Sequence, residues 1–340
     1  MREALRIIKP ALSSRNSVQV LNNILLKGGV VTACNLQLMI SAPVDSKLEA
    51  LLPPKIIEIA EAVGDFDMTL DGEKLNVSAG KRNFTLHVDT GAEDYPETFH
   101  IADRFGIEPA GFIDGLASVV FAVSTEEHRP SFTGVLIEGG ESIKLTASDT
   151  YRLAQAEVTA TTPEFRILVK PTILKELIRL KPDKLEMGFT NSAVTFNADG
   201  VLLSARLLDE KYPDVTSIVP KQEDATTKVS PAVGGLSAPL LEAIRSALLM
   251  VDTKNRAVTV SVTDGLLTVK ASGQVGNMQE EIAVNTEGDD IELYLNAGYI
   301  ADVLKYEGIT IDFYGDGKPV VIRRPGYKYL YLCLPIKKMG

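Results

Sequence analysis

Tryptophan is absent from this 340-residue chain, and only two cysteines (Cys34 and Cys333) and three histidines (His87, His100 and His128) are present. Two cysteines make neither a disulfide framework nor a multi-cysteine zinc site, and no Cys/His pair stands at ligand spacing. That usage fits a reducing, cytoplasmic address. No apolar run reaches the ~18 residues that a membrane span needs. The opening MREALRIIKPALSS is interrupted by Lys9 and Pro10, so no signal-peptide layout is expected. Positive charge is also short: 35 Lys and Arg face 45 Asp and Glu, a net charge of −10, which argues against a protein that grips DNA by bulk charge. HExxH, GxSxG, GxxxxGK[ST] and a GxGxxG following a strand are all missing. Asp149-Thr150-Tyr151-Arg152 has the look of an active-site loop, but no partner base can be assigned to it. No catalytic residue, metal ligand or cofactor is expected.

What is present is the composition of a globular protein, 45% hydrophobic and 24% charged. The length suits two or three domains of roughly 100–200 residues each. The chain repeats itself. An amphipathic stretch, REALRIIKPALSS, puts Leu5, Ile8 and Leu12 on one helical face. Strand-like runs follow around a Gly-Gly turn (NILLKGGVVTACNLQLMI), then a helical PPKIIEIAEAV with Ile56, Ile59, Ala60 and Val63 in line. Three short alternating strands close the set: FDMTLDG, EKLNVSAG and RNFTLHV. The same order returns from AGFIDGLASVVFAV, with Phe112, Leu116, Val119 and Val123 on one face. It returns again from APLLEAIRSALLMV, with Leu241, Ile244, Leu248 and Val251 on one face. Pro54, Pro171 and Asn296 open the second helices at a spacing of about 120 residues, a domain-sized period rather than a solenoid unit. Polar, Pro- and Gly-bearing joints lie near 103–109 and 221–236, giving domains 1–103, 104–225 and 226–340.

Four stretches carry a family resemblance. EEHRPSFTGVLIEG followed by LTASDTYRLA, KYPDVTSIVP, the terminal YLYLCLPIKK, and SAGKRNFTLHV with a following DYPE stand in order on the expected repeats. Together they resemble the bacterial DNA sliding clamp family, the beta subunit of DNA polymerase III, over nearly the whole chain. The resemblance implies an α+β fold: three tandem clamp domains, each with two helices packed on antiparallel sheets, making half of a closed ring. It implies a non-catalytic processivity factor that encircles duplex DNA as a head-to-tail homodimer, without sequence specificity. Its partners would be DNA polymerase, the clamp loader and other proteins with clamp-binding peptides, in the cytoplasm at the nucleoid. The alternative is a non-encircling adaptor that keeps the fold and the docking pocket. Departures exist. The family opens with a strand before the first helix, whereas this chain begins at the helix, so domain 1 is expected to be shortened. The usual Gly-His is Thr150-Tyr151, a usual basic residue is Ser217, and the terminus runs on to Lys-Lys-Met-Gly.

Three sets of residues follow. DNA-facing candidates are Lys55, Lys175 and Arg179 on the second helices, and, by the resemblance, Arg15 and Arg129. Their helices also carry acidic residues, so a solvated face is an equal reading of any one of them. For ring closure, SAGKRNFTLHV offers an edge strand with Lys81 and Arg82 beside Phe84 and Leu86. The third repeat offers Leu249, Met250 and Val251 with Glu280 and Glu281. Phe84 and Leu86 have a second reading, in their own domain's core. The resemblance further implies a peptide-docking pocket between the middle and last domains. Its residues would be Phe132, Ser148, Thr150, Tyr151, Arg152, Leu153, Pro213, Ser217, Ile218, Asn296, Tyr299, Val320, Leu332, Cys333, Leu334, Pro335 and Ile336. Of these, Leu153, Ile218 and Leu332 read equally well as plain core.

Overall fold

A computed structural model describes residues 1–13, 17–88, 92–96, 101, 103–233, 235–252 and 256–337. The first run of elements is α1 (Arg2–Ile8), β1 (Ile24–Lys27), β2 (Val30–Cys34), β3 (Leu38–Pro43), β4 (Ala50–Leu52), α2 (Lys55–Val63), β5 (Asp67–Asp71), β6 (Lys74–Ala79) and β7 (Arg82–His87). The second is β8 (Phe105–Ile107), α3 (Pro109–Val119), β9 (Val135–Gly139), β10 (Ile143–Ser148), β11 (Arg152–Val158), β12 (Phe165–Val169), α4 (Pro171–Leu180), β13 (Leu185–Phe189), β14 (Ala193–Ala198) and β15 (Val201–Arg206). The third is β16 (Thr227–Pro231), α5 (Ser237–Leu248), β17 (Ala257–Thr263), β18 (Leu266–Gly273), β19 (Gly276–Gly288), β20 (Ile291–Asn296), α6 (Ala297–Val303), β21 (Thr310–Phe313), β22 (Val320–Arg323) and β23 (Tyr329–Cys333). From the first helix onward, the order of helix, four strands, helix and three strands occurs three times.

Three repeats fold as two compact units, residues 1–113 with 169–209 and residues 114–168 with 210–340. The reason lies in the sheets. In the first unit an eight-stranded sheet runs β4-β1-β2-β3-β15-β14-β13-β8, so strands of the first and second runs share one ladder through β3 and β15. A separate three-stranded sheet, β5-β6-β7, completes it. In the second unit a twelve-stranded sheet joins the second and third runs through β11 and β23. The pairings that join the runs, β3 with β15 and β11 with β23, are antiparallel, which leaves one sheet face for helices.

Local chemistry explains the helices and corrects several expectations. The first helix stops at Ile8 and gives way to a single 3-10 turn over Lys9–Ala11, because Pro10 has no N–H and cannot continue the α ladder. Leu5, Ile8 and Ala11 are buried, whereas Leu12 is only partly so. On α5 the sequence face of Leu241, Ile244, Leu248 and Val251 is wrong by about one residue. The buried positions are Ser237, Leu240, Ala243, Ile244 and Ala247, and Val251 lies beyond the helix. Small Ala243 and Ala247 sit inward, and α5 packs against α6. The larger Leu241 and Leu248 are pushed to its flanks. Four strands stand between each pair of helices; β4 is three buried residues long and β11 and β12 show little alternation, whereas β19 and β20 alternate. Asn296 caps α6, its Oδ1 accepting from the N–H groups of Gly298 (2.9 Å) and Tyr299 (3.3 Å). Among the described residues no helix is long and apolar enough to cross a membrane.

Core packing on α5 gives a direct test. Ile244→Ala is expected to lower the unfolding free energy by about 2–5 kcal/mol, the usual loss for a buried aliphatic side chain. Leu241→Ala is expected to cost less than half of that in the same urea titration. Equal losses would restore the face read from the sequence.

Candidate functional site

The residues of the expected pocket all lie in the second unit, around the pairing of β11 with β23. The register sets Arg152 opposite Cys333, Leu153 opposite Leu332 and Ala154 opposite Tyr331, and β22 brings Val320 opposite Cys333. Leu153, Val320, Leu332 and Cys333 are buried, as is Ser148. They form the floor beneath the surface rather than the surface itself. Leu153 and Leu332 belong to one apolar cluster with Tyr314 and Val321, on which Val215 and Val219 pack. That places the 215–219 segment over the seam. Its Ile218 is 51% exposed, so the core reading of Ile218 is overturned while the core readings of Leu153 and Leu332 hold. Pro213 and Ser217 are exposed beside it. Phe132 packs edge-on against Tyr212, ring centroids 5.6 Å apart.

The turn from β10 into β11 is built by its own side chains. Asp149 Oδ1 accepts from the backbone N–H groups of Tyr151 and Arg152, both at 3.0 Å. Ser148 Oγ donates to the Arg152 carbonyl (2.7 Å) and accepts from the Thr150 N–H (3.1 Å). Thr150 adopts φ +77°, a left-handed conformation that a β-branched residue rarely takes. The glycine usual at this position in the resembling family would take it freely. Thr150 is held there partly by Arg129, whose Nη1 donates to its Oγ1 at 3.0 Å. Arg129, expected to face DNA, precedes the 3-10 turn Pro130–Thr133 and bonds to this β10–β11 turn.

Arg152 is the organising group. Its Nε donates to Asp149 Oδ2 (2.9 Å), Nη1 to Asp302 Oδ2 (2.7 Å) and Nη2 to the Phe121 carbonyl (2.7 Å). Its guanidinium carbon stands 4.3 Å from the centroid of the Tyr299 ring and 5.6 Å from that of Phe121. Burial opposes its charge, but Tyr331, Asp302 and Asp149 raise its pKa still further above the ordinary arginine value. Edge and faces are both occupied, so Arg152 fixes the loop, α6 and the sheet as one body. Burial pushes the Cys333 thiol up to about 12, so it behaves as an apolar side chain. The chain then leaves β23 along two backbone bonds, Leu334 N–H to the Tyr151 carbonyl (2.9 Å) and Ile336 N–H to the Tyr294 carbonyl (2.7 Å). Tyr151 (57%) and Leu334 (40%) are exposed, with Pro335 and Ile336 half-buried. Asn296 is occupied in capping α6.

The ring-edge candidates lie on or beside two strands. Among the described residues β7 pairs only with β6. Phe84 and Leu86 stand opposite Val77 and Leu75 and share their inward face, half-buried; Lys81 and Arg82 are exposed at the turn. β19 pairs with β18 along Gly276–Ala283, while β16 covers only its Val284–Gly288 end, so the stretch with Glu280 and Glu281 has one open side among the described residues. Beside it, Leu249 (75%) and Val275 (79%) are exposed, with Met250 and Val251 half-buried. A Cβ on Gly273 would stand 1.9 Å from the Met250 carbonyl oxygen, so the α5 exit and the β18–β19 hairpin touch closely. Val275 is not among the residues named from the sequence, and no local pattern announces its exposure.

The helix cations are largely matched by acids. Lys55 pairs with Glu58, Lys9 with Glu61 (2.8 Å), and Arg179 with Glu176 (2.7 Å); Arg179 also donates to the Ile7 carbonyl. Lys175 lines a hollow with Glu176, Thr172, Pro10 and Gln37. Arg15 and His100 lie outside the described residues. No group of three or more His, Cys, Asp or Glu side chains is placed to hold a metal among the described residues.

Comparison with known proteins agrees with this architecture. Residues 107–214 match the central domain of the DNA polymerase III beta subunit, and residues 216–337 match its C-terminal domain. The beta sliding clamp of Bacillus subtilis (strain 168) is 31% identical over 278 residues, covering 77% of this chain and 72% of that one. The crystal structure of the DNA polymerase sliding clamp from Bacillus subtilis superposes with a TM-score of 0.86 at 25% identity, covering 99% of this chain and 97% of that one. That of the DNA polymerase III beta subunit from Thermotoga maritima gives a TM-score of 0.87 at 22% identity, with the same coverage.

Two substitutions test the turn. Arg152→Ala takes the guanidinium from the half-buried Asp149 carboxylate, from Asp302 and from the Phe121 carbonyl, and a loss of up to roughly 3–5 kcal/mol of unfolding free energy is expected. Thr150→Gly relieves the left-handed strain and is expected to raise stability by about 1 kcal/mol. Chemical denaturation of the two variants beside the parent checks both signs.

Proposed function

Because the chain belongs to the bacterial DNA polymerase III beta subunit family, the beta sliding clamps, we propose that two copies close head-to-tail into a ring around duplex DNA. The protein is a processivity factor and a non-catalytic subunit. The repeated element order supports three clamp domains, 1–103, 104–225 and 226–340, six to a ring. Closure is attributed to the open edge of β7 on one protomer meeting the open stretch of β19 on its partner, which would convert two aggregation-prone edges into a ladder. Lys81 and Arg82 would face Glu280 and Glu281 at the rim, around an apolar centre that includes Phe84, Leu86, Leu249 and Val275.

The balance of charge bears on how DNA is held. A net charge of −10 and cations already paired with neighbouring glutamates make a tight electrostatic grip unsuitable. Topology needs no such grip. A closed ring stays on the duplex while its weak phosphate contacts break and re-form, so it slides and keeps a tethered polymerase at its template. Lys55, Lys175 and Arg179 are assigned to this mild inner contact. Such a protein would work in the cytoplasm, at the nucleoid.

Partner docking is assigned to the β11–β23 seam. The observation that carries it is the exposure of Tyr151, Ile218 and Leu334 around a buried floor of Leu153 and Leu332. A peptide with a Gln and a few apolar residues would lay its apolar side chains there, with Arg129 and the backbone of Leu334–Ile336 as polar anchors. Polymerase, clamp loader and other DNA-processing proteins would compete for it.

Two experiments test this reading. After loading by a cognate clamp loader, the protein should remain on nicked circular DNA and be lost from linear DNA; equal loss from both sinks encirclement, and Lys81→Glu with Arg82→Glu should reduce the ring to monomers by light scattering. Pro335→Glu with Ile336→Asp should weaken a clamp-binding peptide at least tenfold while the dimer persists. Unchanged peptide affinity would remove the seam from the proposal.

A further inference from the structure

The turn between β22 and β23 holds a second arginine whose surroundings differ from those of Arg152. Its sequence, Arg324-Pro325-Gly326-Tyr327, dictates the geometry: proline fixes the second position, glycine takes φ +84° at the third, and the Tyr327 N–H donates to the Arg324 carbonyl at 3.0 Å. The turn therefore sets the first and fourth side chains together. The Arg324 guanidinium carbon lies 3.8 Å from the Tyr327 ring centroid and 4.7 Å from that of Tyr306, whose ring stands 6.0 Å from that of Tyr329. The stack runs from a buried ring, Tyr329, outward to Tyr327, which is 63% exposed. Two tyrosine rings stack on Arg324, yet no described residue accepts a hydrogen bond from its guanidinium. Its Nε is buried with no hydrogen-bond partner, and no described carboxylate forms an ion pair with it; the charge of Asp114 is felt at Tyr306 but makes no such pair. Its neighbours are committed elsewhere, Arg323 to Asp312 (2.9 Å) and Lys328 to Glu157. From Lys318 to Lys338 the sequence carries six basic residues and no acidic one, in a chain of net charge −10.

A guanidinium clamped between rings is held in one plane, with in-plane N–H donors aimed at whatever approaches its edge. Such donors suit an oxygen anion, and a phosphate answers them best when an aromatic face lies beside it for a base. We propose that Tyr327 and Arg324 form a stacking site for single-stranded nucleic acid, Tyr327 taking a nucleobase on its open face and Arg324 donating to the adjoining phosphate. The site needs neither the closed ring nor the docking seam, so it stands or falls apart from them. An acidic peptide satisfies the guanidinium but leaves the open tyrosine face unused, which is why the base is favoured.

Fluorescence anisotropy of a labelled oligothymidylate about 12 nucleotides long, titrated with the full chain at low salt, reads the site. Tyr327→Ala and Arg324→Gln are each expected to weaken binding about fivefold or more, and Tyr327→Phe to keep it, since the ring face does the stacking. An abasic oligomer of the same length should bind as weakly as the parent oligomer binds Tyr327→Ala. Unchanged affinity in Tyr327→Ala overturns the proposal, as does equal binding of abasic and thymidine oligomers. Polyglutamate that binds more tightly than the oligomer, and in a Tyr327-dependent way, would overturn it in favour of an acidic peptide. Tyr327 is exposed at a turn, so its loss leaves the core intact, and retention on circular DNA should be the same in all variants.

Discussion

Backbone hydrogen bonds at strand edges are the constraint on which this protein is built. Each repeat ends in a sheet whose outer strand presents unpaired N–H and C=O groups, and such an edge must be paired, covered or kept short. Between consecutive repeats the solution is pairing: β3 with β15 in one unit and β11 with β23 in the other. These ladders fuse what the element order separates, so three repeats become two compact units and the middle repeat is divided between them. The geometry of the β11–β23 seam follows from the same constraint. The β11–β23 ladder fixes Leu153 against Leu332 as a floor, and the turn before β11 and the chain after β23 emerge side by side at its end.

Two arginines show how one side chain serves opposite ends. Arg152 has acceptors on all sides and aromatic rings nearby, and this saturation makes it a fastening. Arg324 carries two stacked tyrosine rings and no acceptor among the described residues, which leaves donors for a ligand. Burial alone does not distinguish them. The number of acceptors within reach does, because a buried donor without a partner retains the cost of its lost hydration until something supplies an oxygen.

Much of the fold was legible because its signals are local. Helical spacing located all six helices, Asn296 marked the start of α6, and Pro10 and the Arg-Pro-Gly-Tyr turn act through their own backbone geometry. The errors lie where neighbours decide. The inward face of α5 turns on the close approach of α6, which favours Ala243 and Ala247 over the larger leucines that a hydrophobic pattern selects. Ile218, read from the sequence equally as pocket or core, is exposed, since its neighbours Val215 and Val219 take the places over the seam. The bond from Arg129 to Thr150, 21 residues away, is likewise one that no periodicity announces.

The sequence by itself determined the repeated order of helices and strands, the scarcity of metal-ligating and nucleophilic residues, and the surplus of acid, because composition, periodicity and turn chemistry act over a few residues. It also carried, through motifs at the ends of strands, a likeness to a clamp family. Only the tertiary structure decided which edges pair and which stay open, and which apolar residues reach the surface. Those are properties of distant segments meeting, and their energies depend on burial and on partners that no local pattern contains. The shortage of positive charge is of both kinds: Lys55 and Arg179 meet glutamates one helical turn away, legible in the sequence, whereas Lys9 meets Glu61 only because the chain folds.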